Sequence, residues 1–304
     1  MITYNQECLI KRAIDSLLTQ KEYIYEICIS DDCSQDRTWD VLQDYYNNYP
    51  GLFKISRNVE NIGIFENIER SWQMPCGDIV YFLSGDDECG KDWFKSVIKF
   101  IEENGINYVS DKFAVYGDYK AIYPNGDSCI FSNKIKQRES YAFKAALRGM
   151  ISNRSCCFSI NVLRQFNPVS QGRSHIAEDA QDRQLQIFCP NNYYIPMVGN
   201  IYYSGIGVSS GISPIVHNER LKSQEYAIST FELWGIVIDK KDKYYATVCF
   251  PAREKMLYKK SILNLLRWVY YSIRGKERGI NVFNGKYCLF ALMRRFPHCH
   301  PINY

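Results

Sequence analysis

Apolar positions along the first ninety residues follow two alternating rhythms. Between residues 6 and 20, Leu9, Ile10, Ala13, Ile14, Leu17 and Leu18 fall on one face at helical spacing, which predicts an amphipathic helix. The apolar run from Tyr25 to Ser30 predicts a short strand that stops at the turn-forming cluster Asp31, Asp32, Cys33 and Ser34. A helix from Thr38 to about Tyr46 comes next, then a weaker strand at Phe53–Ser56. A loop from Asn58 to Gly63 leads into a helix near 65–74. Ile79 to Leu83 reads as a buried strand running directly into Ser84, Gly85, Asp86, Asp87 and Glu88. The opening residues Met1 to Asn5 read as the last part of a strand whose beginning is missing.

Strand and helix in alternation predict an α/β fold with a mostly parallel, doubly wound sheet flanked by helices. Such sheets bind ligands beyond the carboxyl ends of their strands. Three polar clusters fall at those ends: Thr3-Tyr4-Asn5, Asp31-Asp32, and Ser84 to Glu88. Further on, Asp92–Asn104 reads as a helix, 107–135 as irregular strands and turns, and 139–151 as helical. A polar lead-in at Ser174 opens a helix toward Cys189, and Ser204–Gly211 is rich enough in Gly and Ser to read as a flexible loop. Residues from about 218 read as mainly helical. The expected division is therefore a first domain over 1–215 and a helical C-terminal extension over 216–304.

Composition narrows the class. The 304 residues are 46% hydrophobic and 23% charged, as in a globular protein able to bury a sizeable core. A net charge of +4 is too small to argue for nucleic acid as a partner. The twelve cysteines are scattered, with no CxxC pair, and several lie inside apolar stretches as small buried thiols do. With no secretory signal and no apolar run of roughly 18 residues, the sequence points to a reducing cytoplasm.

Adjacent carboxylates on a turn after a buried strand are costly unless a cation neutralises them. Asp86, Asp87 and Glu88 offer hard oxygen ligands of the kind that Mg²⁺ or Mn²⁺ takes while leaving positions open for phosphate oxygens. A solvated turn or a helix cap would also favour Asp here, and Ser34 or Asp36 could cap the helix after Asp31-Asp32. Two acidic strand ends at one edge favour a nucleotide and metal site over two unrelated turns. No GxGxxG follows the first strand, no Walker-type loop or GxSxG elbow is present, and the four histidines lack HExxH spacing.

The motifs carry a resemblance. Ile2-Thr3-Tyr4-Asn5-Gln6-Glu7, then Ala13-Ile14-x-Ser16-Leu17-x-x-Gln20, then Asp31-Asp32-x-Ser34-x-Asp36-x-Thr38 look like the family 2 glycosyltransferases of the GT-A, Rossmann-like fold. Asn61-x-Gly63-x-x-x-Asn67 and Leu83-Ser84-Gly85-Asp86-Asp87 continue the pattern, which is dense over residues 2–88. The resemblance implies an inverting, metal-dependent transfer of a sugar from a nucleotide-diphosphate donor, with a UDP-sugar foremost. It places Thr3, Tyr4, Asn5, Glu7, Asp31, Asp32, Asn61, Gly63, Asn67 and Asp86 around that donor, with Thr3 and Asp32 on base and ribose. The metal, Mn²⁺ or Mg²⁺, falls to Asp86 and Asp87, because the family's first motif carboxylate is Ser84 here. The general base falls to Asp179 of the Glu178-Asp179 pair, with Asp182 as rival; a helix N-terminus would favour the same acidic residues. The Gly207–Gly211 segment resembles a mobile loop over the donor.

The implied acceptor is a hydroxyl of a glycan or a lipid-linked molecule, in surface polysaccharide synthesis. Two other classes remain in view: a nucleotidyltransferase, for which residues 5–12 lack the basic Gly-rich loop, and a degenerate GT-A module that only binds. Basic residues interleaved with Leu263, Leu266, Trp268 and Tyr270 in the stretch 253–295 suit either a packed helix with a solvated basic face or a helix lying on an anionic membrane surface.

Overall fold

The computed structural model describes residues 1–132, 153–165, 189, 191–206, 214–233, 237–259 and 261–277. These fall into two compact units, one formed by the described residues up to 206 and the other by those from 214 onward.

The first unit begins with three parallel strands in the order β1 (Ile2–Thr3), β2 (Ile27–Asp31) and β3 (Phe53–Arg57). The register sets Thr3 beside Asp31 and Asp31 beside Arg57, so polar residues meet at the carboxyl ends. Helix α1 (Ile10–Leu18) buries Ile10, Ala13, Ile14 and Leu17, the face that the helical spacing predicts. Its first amides have no side-chain cap; those of Leu9 and Ile10 donate to the Gln6 carbonyl, each at 2.9 Å. Helices α2 (Thr38–Asn48) and α3 (Ile64–Trp72) follow β2 and β3.

A second sheet contains β4 (Ile79–Tyr81), β5 (Glu88–Cys89), β6 (Phe113–Ile122), β7 (Ser128–Phe131), β8 (Cys156–Ser159) and β9 (Asn191–Tyr203), with α4 (Trp93–Glu103) after β5 and α5 (Ile160–Gln165) after β8. Its order is β4-β8-β6-β9-β5, with β7 on β6. Only β6 and β9 run parallel in it, so the parallel arrangement expected from the sequence holds through β1–β3 and gives way to a mixed sheet. The two sheets meet where Ile2 bridges Ser84 in parallel and the Gly85 amide donates to the Ile2 carbonyl at 3.2 Å.

Within the stretch expected to be irregular, 107–135, the described residues up to 132 are more regular than their pattern predicts. Phe113 to Tyr116 are wholly buried on both faces, so the strand shows no alternation. Trp93 lies fully buried between β6 and β9; a Cβ on Gly117 or Gly199 would come within 2.5 or 2.7 Å of its ring. Those two glycines are what let the indole in. The helices expected at 139–151 and after Ser174 lie outside the described residues.

The second unit is helical throughout its described residues: α6 (Pro214–Leu233), α7 (Lys240–Tyr244), a π-turn over Tyr245–Cys249, α8 (Phe250–Tyr258) and α9 (Ile262–Glu277). Tyr245, Cys249 and Phe250 form one small core, and Met256 with Trp268 forms another. Among the described residues no helix is long and apolar enough to cross a membrane.

Candidate active site

The chain after β1 is laced to the turn after β2. The Gln35 amide donates to Asn5 Oδ1 at 2.7 Å and the Arg37 amide to Glu7 Oε2 at 2.9 Å. In return the Asn5 amide donates to Ser34 Oγ at 2.9 Å and the Glu7 amide to Asp36 Oδ2 at 3.0 Å. Asn5 takes a positive φ of 51° to make this corner, a conformation Asn tolerates well. Thr3 is buried and its hydroxyl donates to Gln6 Oε1 at 2.7 Å, whereas Tyr4 stands exposed at the edge.

Asp31 and Asp32 are both buried, and each is satisfied by the protein itself. Asp31 accepts the Ser34 amide at 3.1 Å and the Ser34 hydroxyl, with Arg57 Nε at 3.5 Å. Burial raises its pKa above the usual carboxylate value, against the Ser34 hydrogen bonds and Arg57. Asp32 accepts Asn58 Nδ2 at 2.8 Å and the amides of Ile62 and Gly63, both at 2.9 Å. It thereby organises the whole 58–63 loop, whose Asn61 Nδ2 reaches the Asp32 carbonyl at 3.4 Å. Gly63 can turn there because it takes φ +88°. Asn67 braces the same corner from α3, accepting the Ser30 hydroxyl at 2.6 Å and donating to the Ser30 carbonyl at 3.1 Å.

The second acidic end is built differently. Asp87 is 2% exposed, with Arg154 at 3.5 Å and the Tyr203 amide donating to it at 3.3 Å. Burial pushes its pKa up to about 6, with Arg154 opposing and Asp86 adding to the rise. Glu88 accepts the Tyr203 hydroxyl and has Arg12 Nε at 3.3 Å. Each arginine lies over a tyrosine: Arg12 is 3.5 Å from the Tyr203 ring centroid and Arg154 is 3.9 Å from that of Tyr202. Consecutive strand residues face opposite sides, so β9 offers one tyrosine platform on each face. Arg12 NH2 also donates to the Asp86 carbonyl at 2.6 Å. The Asp86 carboxylate, part-exposed, makes no hydrogen bond or ion pair with any described residue.

These residues fit a divalent cation. Among the described residues no three His, Cys, Asp or Glu side chains converge, but Mg²⁺ is held by one or two carboxylates with phosphate oxygens and waters. Asp86 is the acidic side chain left without a partner among the described residues, and Asp87 adjoins it. Gly85 lets the run approach Gln6 and the first residue of α1 closely, since a Cβ there would fall 2.2 Å from Gln6 Oε1 and 3.0 Å from Ile10 Cδ1.

Thr3, Asp31, Asp32, Asn61, Gly63 and Asn67 thus gather at one corner, with Tyr4, Asn5 and Glu7 along its rim. Glu178, Asp179, Asp182 and the Gly207–Gly211 loop lie outside the described residues. Sequence reasoning does not find Arg12, Arg154, Tyr202 or Tyr203. Arg12 reads as the polar face of a helix, and no spacing links it to positions 88 and 203. Ser16 and Gln20 turn out to fasten β5: the Cys89 amide donates to Ser16 Oγ at 2.9 Å, and Gln20 Nε2 donates to the Gly90 carbonyl at 2.8 Å.

A three-strand parallel corner feeding a mixed sheet, with a carboxylate at the junction, defines a class. It is the GT-A glycosyltransferase fold expected from the sequence, and solved structures share it. S. aureus TarS 1–349 in complex with UDP-GlcNAc matches 90% of this chain and 78% of its own, at TM-score 0.58 and 16% identity. GalNAc-T7 with UDP, GalNAc and Mn²⁺ matches 90% of this chain and 53% of its own, at TM-score 0.55 and 13% identity. The glycosyl transferase family 2 model matches residues 1–166, and the chain belongs to that family. Among curated relatives, the dTDP-rhamnosyl transferase RfbG of Shigella flexneri is 29% identical over 151 residues, 48% of this chain and 50% of the relative. The chain thus spans half the length of RfbG, and a quarter to a third of several further bacterial relatives.

Proposed function

We propose that this chain transfers a sugar from a nucleotide-diphosphate donor to a hydroxyl of a glycan or lipid-linked acceptor, in the cytoplasm, during assembly of a surface polysaccharide. Family membership supports the reaction class, and the names of RfbG and of the TarS complex support a nucleotide-sugar donor. A UDP-sugar is the first donor to test. The single observation that carries the reading is the Asp86 carboxylate, unpartnered among the described residues, at the junction where Ile2 bridges Ser84.

Asp86, with Asp87 beside it, would hold Mn²⁺ or Mg²⁺; the Mn²⁺ in the GalNAc-T7 structure is consistent with that choice. A cation bound there would supply charge stabilisation for the departing diphosphate. The Asp32-organised loop and Thr3 shape the wall for base and ribose, and Tyr4 offers an exposed ring at its rim. Arg12 and Arg154 fix the acidic turn by holding Glu88 and Asp87. The displacement proceeds with inversion, Asp179 or Asp182 taking the acceptor proton and Glu178 flanking the base.

Thermal-shift titration against UDP-, GDP- and dTDP-sugars, with and without Mn²⁺, tests the reading. The expected result is a metal-dependent rise in melting temperature for one donor, lost in Asp86→Asn. No donor response under any condition would sink it. A second reading, a degenerate GT-A module that binds without transferring, is favoured by one feature: resident arginines already neutralise Asp87 and Glu88. Donor binding with neither transfer nor slow donor hydrolysis would select it.

A further inference from the structure

The carboxylates of Asp86 and Asp87 flank a single peptide unit, and both polar ends of that unit are tied down. Its carbonyl accepts Arg12 NH2 at 2.6 Å, and its N–H, which belongs to Asp87, donates to the Ser84 carbonyl at 3.2 Å. A peptide is planar, so holding both ends restrains the plane and, with it, the directions in which the two side chains leave the backbone. The Ser84 end is local to the turn. The Arg12 end comes from a helix 74 positions earlier in the chain.

Arg12 does not act alone. Ser16 and Gln20 stand four and eight residues further along α1, which puts the three on one stripe of the helix. Each binds the backbone of the acidic run or of the residues just past it: Arg12 the Asp86 carbonyl, Ser16 the Cys89 amide, Gln20 the Gly90 carbonyl. Helix α1 therefore lies along residues 86–90 as a splint. The guanidinium is fixed in turn by the Tyr203 ring, whose centroid is 3.5 Å away, and by Glu88, 3.3 Å from Nε. That Nε makes no hydrogen bond, so Glu88 contributes charge, and the bond to the Asp86 carbonyl is the directional contact. A guanidinium supplies a planar donor edge and stacks on an aromatic face, whereas an ammonium is a point charge.

We propose that Arg12 is a positioning residue for the divalent cation: through the Asp86 carbonyl it sets the aim of the Asp86 carboxylate and its spacing from Asp87. The inference rests on the reading of Asp86 and Asp87 as the cation's ligands. Position and charge pull in opposite directions here. A guanidinium beside a cation site repels the ion, so charge alone predicts that removing Arg12 tightens binding. Loss of position predicts that binding loosens.

Binding of Mn²⁺ to the full chain, with and without UDP, followed through the electron paramagnetic resonance signal of the free ion, tests this. Arg12→Lys keeps the charge but gives up the planar edge, and should weaken Mn²⁺ binding about tenfold with the urea midpoint unchanged. Arg12→Gln should weaken it about threefold, the loss of position outweighing the relief of repulsion. Tyr203→Leu removes the platform under Arg12 while its backbone amide still reaches Asp87. It should also weaken binding about threefold, and it remains informative if the arginine variants do not fold. Binding unchanged in Arg12→Lys, or tighter in Arg12→Gln, overturns the proposal and leaves the metal reading standing. An Arg12→Lys chain that loses Mn²⁺ only in proportion to its unfolded fraction overturns it as well. No Mn²⁺ binding by the unaltered chain in either condition overturns the metal reading, and this inference with it.

Discussion

The two acidic strand ends look alike in sequence and differ in what the fold gives them. Asp31 and Asp32 are satisfied largely by neutral donors: amides, a serine hydroxyl and an asparagine. Asp87 and Glu88 are matched by guanidinium groups, each laid over a tyrosine of β9. At the first end the carboxylates hold the turn after β2 and the 58–63 loop. At the second they are held, and their neighbour Asp86 is left over. An acidic doublet becomes a ligand only after the fold's own donors and cations have been counted against it.

That contrast can be broken in four places. The largest effect is expected at Asp86, where Asn should cost transfer about a thousandfold, about 4 kcal/mol, with the melting temperature unmoved. If Asp86→Asn stays active while Asp87→Asn does not, the two carboxylates exchange roles. Asp32→Ala should instead act on folding, by about 3–4 kcal/mol in urea denaturation, because two amides and the Asn58 side chain lose their acceptor. A loss of donor binding with stability intact would show that Asp32 serves the ligand rather than the loop.

The next effect is in pH. With no metal bound, Asp87 has a folded pKa of about 6 against an ordinary 3.8, so the folded state holds its proton more tightly. Its stabilising contribution is full below about pH 4 and is lost as the pH rises through 6, on the order of 2–3 kcal/mol. Asp87→Asn should erase that step from the stability profile. The smallest is the Arg12–Glu88 pair, part-exposed at 33% and 22%, where a double-mutant cycle should give a coupling of about 1 kcal/mol.

The first half of the fold could be read from the chain because its rules are local. Ile10, Ala13, Ile14 and Leu17 mark α1 by spacing alone, and Ile27 to Asp31 stop where turn residues begin. Strand β9 could not be read in this way. Its Asn191 to Tyr203 mixes Asn, Pro196 and Gly199 with aromatics and is mostly half-buried, so it shows no clean alternation; pairing with β6 makes it a strand. The site divides likewise. Asp31, Asp32 and Asp86 declare themselves as strand-end acids, while the Arg12–Tyr203 and Arg154–Tyr202 stacks depend on residues tens to nearly two hundred positions apart.

Trp93 and its two glycines carry a consequence for descent. The indole sits where β6 and β9 approach, and an added methyl at either Gly117 or Gly199 would strike it. None of the three positions can drift alone: a bulkier neighbour requires a smaller ring, and a smaller ring leaves a hole beneath the strand that carries Tyr202 and Tyr203. Lineages that change this corner should therefore change it as a set, and those that keep the tryptophan should keep both glycines.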